Sequence, residues 1–341
     1  MVGLARDNLD LFLWIQRNRR RLDLCITENL PYSRLIGAPA YSVMMKVGRF
    51  IQAGYGYDPS PMISLNKAFS EVVERQYYVH QGGLSTSGYA THFVPEAAQT
   101  AARLELIERD AFLTHFLTET AFSEIANNEV FCPAIDWDGI RKRLRKKGCS
   151  ISLYRMNSDF QVHAVLAIVR GDQNVVPFGM KIAASVSTQS LDAAAQSAIL
   201  ESTACASGII FAPRGLSLKA PINAFRFRIL SQGRGIPSVH TSAACHFKYS
   251  REFKNVYLKG PKKPWPLGTR PIDQVQVVRV KPKIPVLASI PLICYRATDP
   301  KLQHLFFGVA KPSYFNHERL KRMGGMKTQS GFPSKNPHPF P

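Results

Sequence analysis

Two short stretches of the chain repeat one arrangement of two acids and a base. Residues 71–75 read Glu-Val-Val-Glu-Arg, and residues 105–109 read Glu-Leu-Ile-Glu-Arg. Positions i, i+3 and i+4 of a helix share one face, so each stretch would present two carboxylates and one guanidinium on the same side. The ionisable side chains concerned are Glu71, Glu74, Arg75, Glu105, Glu108 and Arg109.

This pattern is compatible with two kinds of structure. It could form a solvated helix face, in which the Glu-to-Arg pair at i,i+4 contributes about 0.2–0.5 kcal/mol. It could instead form a polyphosphate site, because carboxylates hold Mg2+, Mg2+ bridges phosphate oxygens and arginines take up the remaining charge. Residues 97–117 favour the second structure. They are rich in Ala, Leu and Phe, which predicts a largely buried helix, and buried carboxylates need a cation or hydrogen-bonding partners.

The acidic stretches are predicted to lie on helices. Ser64 can cap the first helix, which we expect to run to about residue 78, and Pro95 suits the first turn of the second, which reaches Thr120. A third, alanine-rich helix is expected over residues 191–206. The apolar face of the first helix is predicted to consist of Ala68, Phe69, Val72, Val73 and Tyr77.

Strands, a basic helix and irregular chain are predicted elsewhere. Residues 54–58 are glycine-rich and predict a turn; they contain neither Gly-x-Gly-x-x-Gly nor Gly-Lys-Ser/Thr, so no Rossmann or P-loop site is indicated. A strongly basic helix is expected over residues 136–147, with Gly148 as its stop. Residues 215–272 interleave aromatic and basic residues, a pattern that fits irregular loops or a surface for nucleic acid or peptide. Strands are predicted at residues 151–156, 163–169, 175–185, 275–280, 286–296 and 305–309.

Composition indicates a globular protein with an anionic partner. The chain has 341 residues, 45% of them hydrophobic, and a formal net charge of +20. Such an excess of positive charge favours a nucleotide, a nucleic acid, a membrane surface or an acidic peptide as partner. The six cysteines include no Cys-x-x-Cys pair, which argues against a zinc site and predicts reduced thiols in a cytoplasmic protein. No apolar run approaches the roughly 18 residues of a membrane helix, so we expect no membrane partner.

Four features that follow in order within residues 54–341 resemble the YcaO family. Residues 83–112 include Gly-Leu-Ser-Thr-Ser-Gly-Tyr-Ala, then Pro-Glu-Ala-Ala, then Glu-Leu-Ile-Glu-Arg-Asp-Ala-Phe, and look like the nucleotide-binding core of that family. Residues 67–75 are similar to its first nucleotide motif, and Glu201 stands where the family has a third helical glutamate. The carboxy terminus, Pro-His-Pro-Phe-Pro at 337–341, resembles that of azoline-forming YcaO cyclodehydratases, including those of azole-modified microcins.

The resemblance implies an α+β fold in which mixed β-sheets pack with helices and the nucleotide lies between helices. It also implies three consecutive parts. These are an N-terminal segment over residues 1–60, a catalytic domain over 61–325 and a proline-rich tail over 326–341.

The implied activity is that of an ATP-dependent cyclodehydratase. In that family, a Cys, Ser or Thr side chain of a ribosomal precursor peptide attacks the preceding amide carbonyl. Phosphorylation by ATP turns the carbonyl oxygen into a leaving group, and a thiazoline or oxazoline forms. By matched position, the implied Mg2+ ligands are Glu71, Glu105, Glu108 and Glu201. The implied ATP site contains these four and adds Glu74, Arg75, Arg109 and Arg296. The tail residues implied in catalysis, where they help to place the reacting amide, are Pro339 and Pro341.

Members of this family usually work with partner proteins. The resemblance implies a precursor peptide as substrate, a leader-peptide-binding subunit with a ubiquitin-activating-like fold, and an FMN-dependent azoline dehydrogenase. Nucleic acid is not an expected partner, because a nucleic-acid-binding protein does not account for buried acidic helices.

Several positions depart from the family pattern. Phe93 and Ala97 stand where the family usually has Asn and Glu, and Cys205 stands in place of a Gln. The two acidic motifs also lie only 34 residues apart. These departures leave open a second interpretation, a catalytically impaired YcaO-like scaffold that binds precursor peptide or partner subunits. Thioamide or amidine formation is a further YcaO chemistry, which the proline-ended tail disfavours.

Overall fold

The computed structural model describes residues 2–82, 87–176, 178–211, 247–258, 267–305 and 312–322. The chain divides into two compact units, each made of segments that are far apart in the sequence. The first unit combines residues 1–106 with 272–299, and the second combines 107–271 with 300–341. The three consecutive parts that the sequence predicted follow a different division, and their boundaries stay a prediction.

The described helices and strands follow in this order: α1 (Val2–Asn18), β1 (Leu24–Glu28), α2 (Leu30–Ile36), β2 (Ala40–Val47), β3 (Phe50–Tyr57), α3 (Pro61–Gln81), β4 (Tyr89–His92), α4 (Pro95–Thr118), β5 (Ser123–Ile125), α5 (Trp137–Lys146), β6 (Cys149–Arg155), β7 (His163–Gly171), β8 (Met180–Ser187), α6 (Leu191–Ile210), α7 (Phe247–Tyr257), β9 (Gln276–Val280), α8 (Pro285–Ala288), β10 (Ile293–Thr298) and α9 (His317–Arg322).

The first unit contains two three-stranded antiparallel sheets. One has the strand order β1-β2-β3, and helix α3 packs on β2 and β3 while α1 packs on α3. The other has the order β4-β10-β9. The α3 side chains that the sequence predicted as an apolar face are all buried in the core of this unit: Ala68, Phe69, Val72, Val73 and Tyr77. This part of the prediction is confirmed.

The second unit contains a four-stranded antiparallel sheet in the order β5-β6-β7-β8. Helix α6 packs on β7 and β8, and α5 packs on β6. Strand β7 is buried from Ala164 to Val169, as expected of a strand with a covered face on both sides. Beside the sheet, the ring centroids of Phe112 and Phe122 lie 6.2 Å apart and those of Phe122 and Phe253 lie 6.1 Å apart.

The start of the first motif helix differs from the prediction. Helix α3 begins at Pro61, and its cap is Ser60, whose hydroxyl accepts a hydrogen bond from the N–H of Ile63 at 3.5 Å. Proline fits the first helical position because its missing N–H would have no partner there, so the helix starts a turn earlier than predicted. Ser64 is therefore a buried helical residue and the prediction of a Ser64 cap is wrong. The predicted start of α4 at Pro95 is confirmed.

Three further segments depart from the expectations. The glycine-rich stretch predicted as a turn belongs to β3, and residues 247–257, predicted as irregular, form α7. Only the end of the predicted strand at 286–296 is extended, since Pro285 begins the short helix α8. The predicted strand at 305–309 lies almost wholly outside the described residues.

Helices and small antiparallel sheets together make this an α+β fold, as predicted. Within the described ranges, no helix combines the length and the apolar character needed to span a bilayer.

Candidate active site

The first acidic motif lies where helix α3 and strand β3 approach each other closely. A Cβ added to Gly54 would lie 2.1 Å from the carbonyl oxygen of Ala68, and one added to Gly56 would lie 1.9 Å from that of Ser64. No side chain fits at either position, so the two glycines let the helix backbone rest directly on the strand. The Ser64 hydroxyl donates a hydrogen bond to the Gly56 carbonyl at 2.9 Å across this contact.

This close approach fixes Glu71 and Arg75 against β3. One carboxylate oxygen of Glu71 accepts from Arg75 Nη2 at 2.5 Å, and the other accepts from the Tyr55 backbone N–H at 2.5 Å. Arg75 Nη1 donates to the Ala53 carbonyl, also at 2.5 Å. The predicted i,i+4 pair therefore exists, but it is bound to a strand rather than displayed on a solvated face.

The environment of Glu71 disfavours its negative charge. Burial raises the pKa of the Glu71 carboxyl, and the charge of Arg75 and the Tyr55 N–H oppose this rise without cancelling it. Each carboxylate oxygen has a second lone pair beyond the bond it accepts. A hard cation prefers such oxygen ligands, so Glu71 is chemically suited to Mg2+ either directly or through a bound water.

Glu74 and Glu105, one from each motif, both raise the pKa of the buried Cys294 thiol. Burial raises the pKa of Cys294 on β10, and the charges of Glu74 and Glu105 raise it further. Both acids therefore interact electrostatically with this thiol in the first unit.

Arg296 lies on β10 two residues after Cys294 and is exposed. Its guanidinium carbon lies 5.3 Å from the centre of the buried Tyr89 ring on the neighbouring strand β4. Stacking of this kind orients the cation.

The other predicted site residues belong to the second unit or lie outside the described residues. Glu108 and Arg109 follow on α4, Glu201 lies on α6, and all three are half-buried. Pro339 and Pro341 are not among the described residues. Within the described ranges, no three acidic, histidine or cysteine side chains gather closely enough to hold a metal by themselves. Mg2+ commonly needs only one or two carboxylates when substrate phosphates complete its coordination, so the assigned ligands stay a prediction.

A buried ionic cluster in the second unit was not predicted. Arg319 on α9 donates to both carboxylate oxygens of Asp110 at 2.6 to 3.1 Å and also bonds Asp159. Burial alone would lower the pKa of Arg319, but its hydrogen bonds to Asp110 and the charges of both acids raise it instead. The only sequence signal was Asp110 itself, an acid placed directly after the second motif on a helix expected to be buried.

Comparison with known proteins identifies a matching family. The YcaO family model, described as a cyclodehydratase that binds ATP and Mg2+, matches residues 77–223. No curated protein matches the sequence. The predicted resemblance and both expected ligands, ATP and Mg2+, are therefore confirmed at the level of the family.

Solved structures show the same fold at low sequence identity. A YcaO from Methanopyrus kandleri bound with AMPPCP and Mg2+ is 12% identical, with a TM-score of 0.57 over 89% of this chain and 95% of that one. A chain of the E. coli microcin synthetase McbBCD complex with pro-MccB17 is 14% identical, with a TM-score of 0.56 over 93% and 96%. A heterocyclase in complex with substrate and cofactor reaches 0.65 at 10% identity, over 96% of this chain and 57% of that one.

Proposed function

We propose that this chain, whose residues 77–223 match the model of the YcaO cyclodehydratases, is an ATP-dependent cyclodehydratase that forms azolines in a ribosomally made precursor peptide. The substrate residues are Cys, Ser or Thr, and the products are thiazolines or oxazolines. The likeness to microcin synthetase and heterocyclase chains supports a peptide substrate. The single observation that carries the proposal is Glu71, held against β3 by Arg75 and the Tyr55 N–H.

The proposed reaction balances with one ATP for each ring. The substrate thiol or hydroxyl adds to the preceding carbonyl carbon and gives up its proton, which leaves a negatively charged oxygen. That oxygen takes the γ-phosphoryl group, and ADP leaves. The amide nitrogen then loses its proton and forms a double bond to the carbon as phosphate departs. ATP is needed because an amide oxygen is otherwise a very poor leaving group.

The residues of this chain would bind and orient the nucleotide rather than form covalent intermediates. Glu71, Glu74, Glu105, Glu108 and Glu201 are the proposed acidic ligands, and Arg75, Arg109 and Arg296 the proposed cationic ones. Mg2+, when bound, would neutralise charge on the phosphate oxygens. The fixed position of Arg75 supports a role in holding Glu71 ready, since a preorganised group needs no rearrangement when charge develops.

The carboxy-terminal Pro337-His-Pro-Phe-Pro341 segment is proposed to place the reacting amide. Proline restricts the backbone of the unbound chain, so a proline-rich segment loses little conformational freedom on entering a site. Deleting the last three residues should abolish ring formation while the melting temperature stays unchanged. Full activity after this deletion would exclude a role for the tail.

Partner proteins are part of the proposal. The McbBCD and heterocyclase neighbours are described as a complex and as bound to substrate, which supports a precursor peptide and further subunits here. We propose a leader-peptide-binding subunit of ubiquitin-activating-like fold and an FMN-dependent azoline dehydrogenase, in the cytoplasm.

The test is ring formation by the full chain with its precursor peptide and leader-binding subunit. We expect ADP and phosphate release together with the loss of one water mass per ring. Glu105→Gln should abolish both. Glu252→Gln, an exposed change on α7, should abolish neither. ATP consumption without any mass loss in the peptide would contradict the proposal.

One observation favours the second interpretation, a scaffold that binds peptide or subunits without turnover. Both oxygens of Glu71 already accept strong hydrogen bonds, which would compete with direct Mg2+ coordination. In that case the wild-type chain would bind the precursor or its partner, and neither ADP release nor mass loss would follow.

A further inference from the structure

A basic groove opens beside strand β9 in the first unit. Its volume is about 740 Å3, and we define it by its four cationic side chains: Arg279, Lys281, Lys283 and Arg296. None of the described residues that line it is acidic. None of the ion pairs found in the described ranges includes any of these four cations. The sequence outside those ranges contains no Asp or Glu, so the positive charge calls for an external anion.

Among the described strands, the one that borders the groove forms the edge of its sheet. In the order β4-β10-β9, strand β9 pairs with β10 alone among the described strands. Its central residue Val278 is 62% exposed and faces Arg296 across the ladder. An edge strand offers a row of backbone N–H and C=O groups that another extended chain can pair with.

We propose that an extended peptide segment rich in Asp and Glu pairs with β9 and places its acidic side chains in the basic groove. The five residues of β9 span about 17 Å at roughly 3.3 Å per residue, so a segment of similar length would be bound. Backbone pairing would supply the register, and the three cations that the proposed nucleotide site does not use, Arg279, Lys281 and Lys283, would supply the preference for acids. That this segment belongs to the precursor peptide rests on the function proposed above.

The groove is less suited to a nucleic acid. Among the described residues that line it, Tyr89 alone is aromatic, and this ring is buried beneath Arg296 rather than exposed for stacking on a base. Single-stranded nucleic acids depend on such stacking together with phosphate contacts. The exposed Val278 and the strand edge instead match the alternating side chains and amides of a peptide.

The experiment measures fluorescence anisotropy of a labelled synthetic peptide of alternating Glu and Val, about nine residues long so that it exceeds β9. The full chain is used without nucleotide or Mg2+. Reversing two groove charges with Lys281→Glu and Lys283→Glu should raise the Kd about ten-fold. The matched pair Lys142→Glu and Lys146→Glu changes the net charge equally on the exposed side of α5 and should leave the Kd unchanged.

A second comparison uses the wild-type protein, so it does not depend on how the variants fold. Methylating alternate backbone nitrogens of the same peptide removes its ability to pair with a strand, and should also raise the Kd about ten-fold. Equal loss in both charge-reversed proteins, equal binding of the methylated peptide, or displacement by single-stranded DNA of the same charge would overturn the proposal. Because no ATP is present, this result is separate from whether the chain forms azolines.

Discussion

Glu71 illustrates how a side chain can be both paired and suited to a ligand. Its bonds to Arg75 and Tyr55 fix its position, while its burial keeps the pKa above the usual value. A divalent cation would relieve this unfavourable environment because it favours the charged carboxylate. The residue is therefore expected to matter more for the nucleotide complex than for the free protein.

Glu71→Gln is predicted to separate these two effects. The half-exposed ion pair is worth about 1 kcal/mol or less in the free protein, so urea unfolding should change little. Addition of Mg2+ and a nonhydrolysable ATP analogue should stabilise the wild type clearly more than the variant. Equal stabilisation of both proteins would show that Glu71 has no part in binding the nucleotide.

His115 gives the molecule a predictable response to acid. Its Nε2 accepts from the Asn157 N–H at 2.7 Å and its Nδ1 bonds the Thr120 carbonyl at 3.0 Å, which defines a neutral ring. Burial lowers its pKa to about 4. The unfolded chain takes up a proton near pH 6.5, so stability is full above that pH and falls as the pH drops towards 4.

Between pH 7 and pH 4, protonation linked to His115 is expected to lower the free energy of unfolding by about 3 kcal/mol. The free energy of unfolding of the wild type minus that of His115→Asn should shrink by this amount over the same interval. His304→Asn, a change at an exposed ring, serves as the control. A constant difference between wild type and His115→Asn would contradict the buried neutral ring.

At the scale of elements, the contact of α3 with β3 sets the geometry of the first motif. Gly54 and Gly56 remove the side chains that would otherwise separate the helix from the strand. Without this contact, the Tyr55 N–H and the Ala53 carbonyl could not reach Glu71 and Arg75. The acidic motif therefore depends on glycines about 16 residues before it.

Gly54→Ala is predicted to destabilise the protein by about 3 kcal/mol or more, because the new methyl group would overlap helix backbone atoms that cannot move singly. Thermal or urea unfolding of Gly54→Ala and the wild type measures this loss of stability. Gly208→Ala on α6 meets no atom within 4 Å and should be neutral or stabilising by about 0.5 kcal/mol. Similar stabilities for the two variants would mean that α3 and β3 are not in direct contact.

Many of the helices and strands could be predicted from the sequence, and some could not. The period of Ala68, Phe69 and Val72 predicted the buried face of α3, and Pro95 predicted the start of α4. The strand at residues 50–57 was missed because its glycines look like turn residues, and their purpose appears only when a helix packs on them. The sequence of β3 alone cannot reveal this contact, because the glycines are required by the packing of another element, helix α3.

At the scale of the whole molecule, each unit joins chain segments that are distant in sequence. Asp110 and Arg319, separated by 209 positions, form an ion pair with no solvent exposure on either side chain. Nothing local links these two residues, so the sequence could not predict the pair. Such a cluster makes the second unit dependent on α9, since a lone buried charge is strongly unfavourable.

Asp110→Asn is predicted to cost about 3–5 kcal/mol, because it leaves the Arg319 charge buried with a weaker partner. Combining it with Arg319→Met should recover part of this loss of stability. Urea unfolding of Asp110→Asn, of Arg319→Met and of the double variant measures the effect. Asp138→Asn removes an exposed partner of Arg141 and should cost less than about 0.5 kcal/mol. Strictly additive losses in the double variant would show that Asp110 and Arg319 are not coupled.

The central claim is that acids from both motifs hold a magnesium–triphosphate group, and calorimetric titration with Mg2+ and AMPPCP tests it most directly. The double variant Glu71→Gln, Glu105→Gln should bind at least about ten-fold more weakly than wild type when Mg2+ is present. A control with Glu28→Gln and Glu252→Gln, both exposed, should bind like wild type. Equal affinity of the motif variant and the wild type for the magnesium complex would contradict the account.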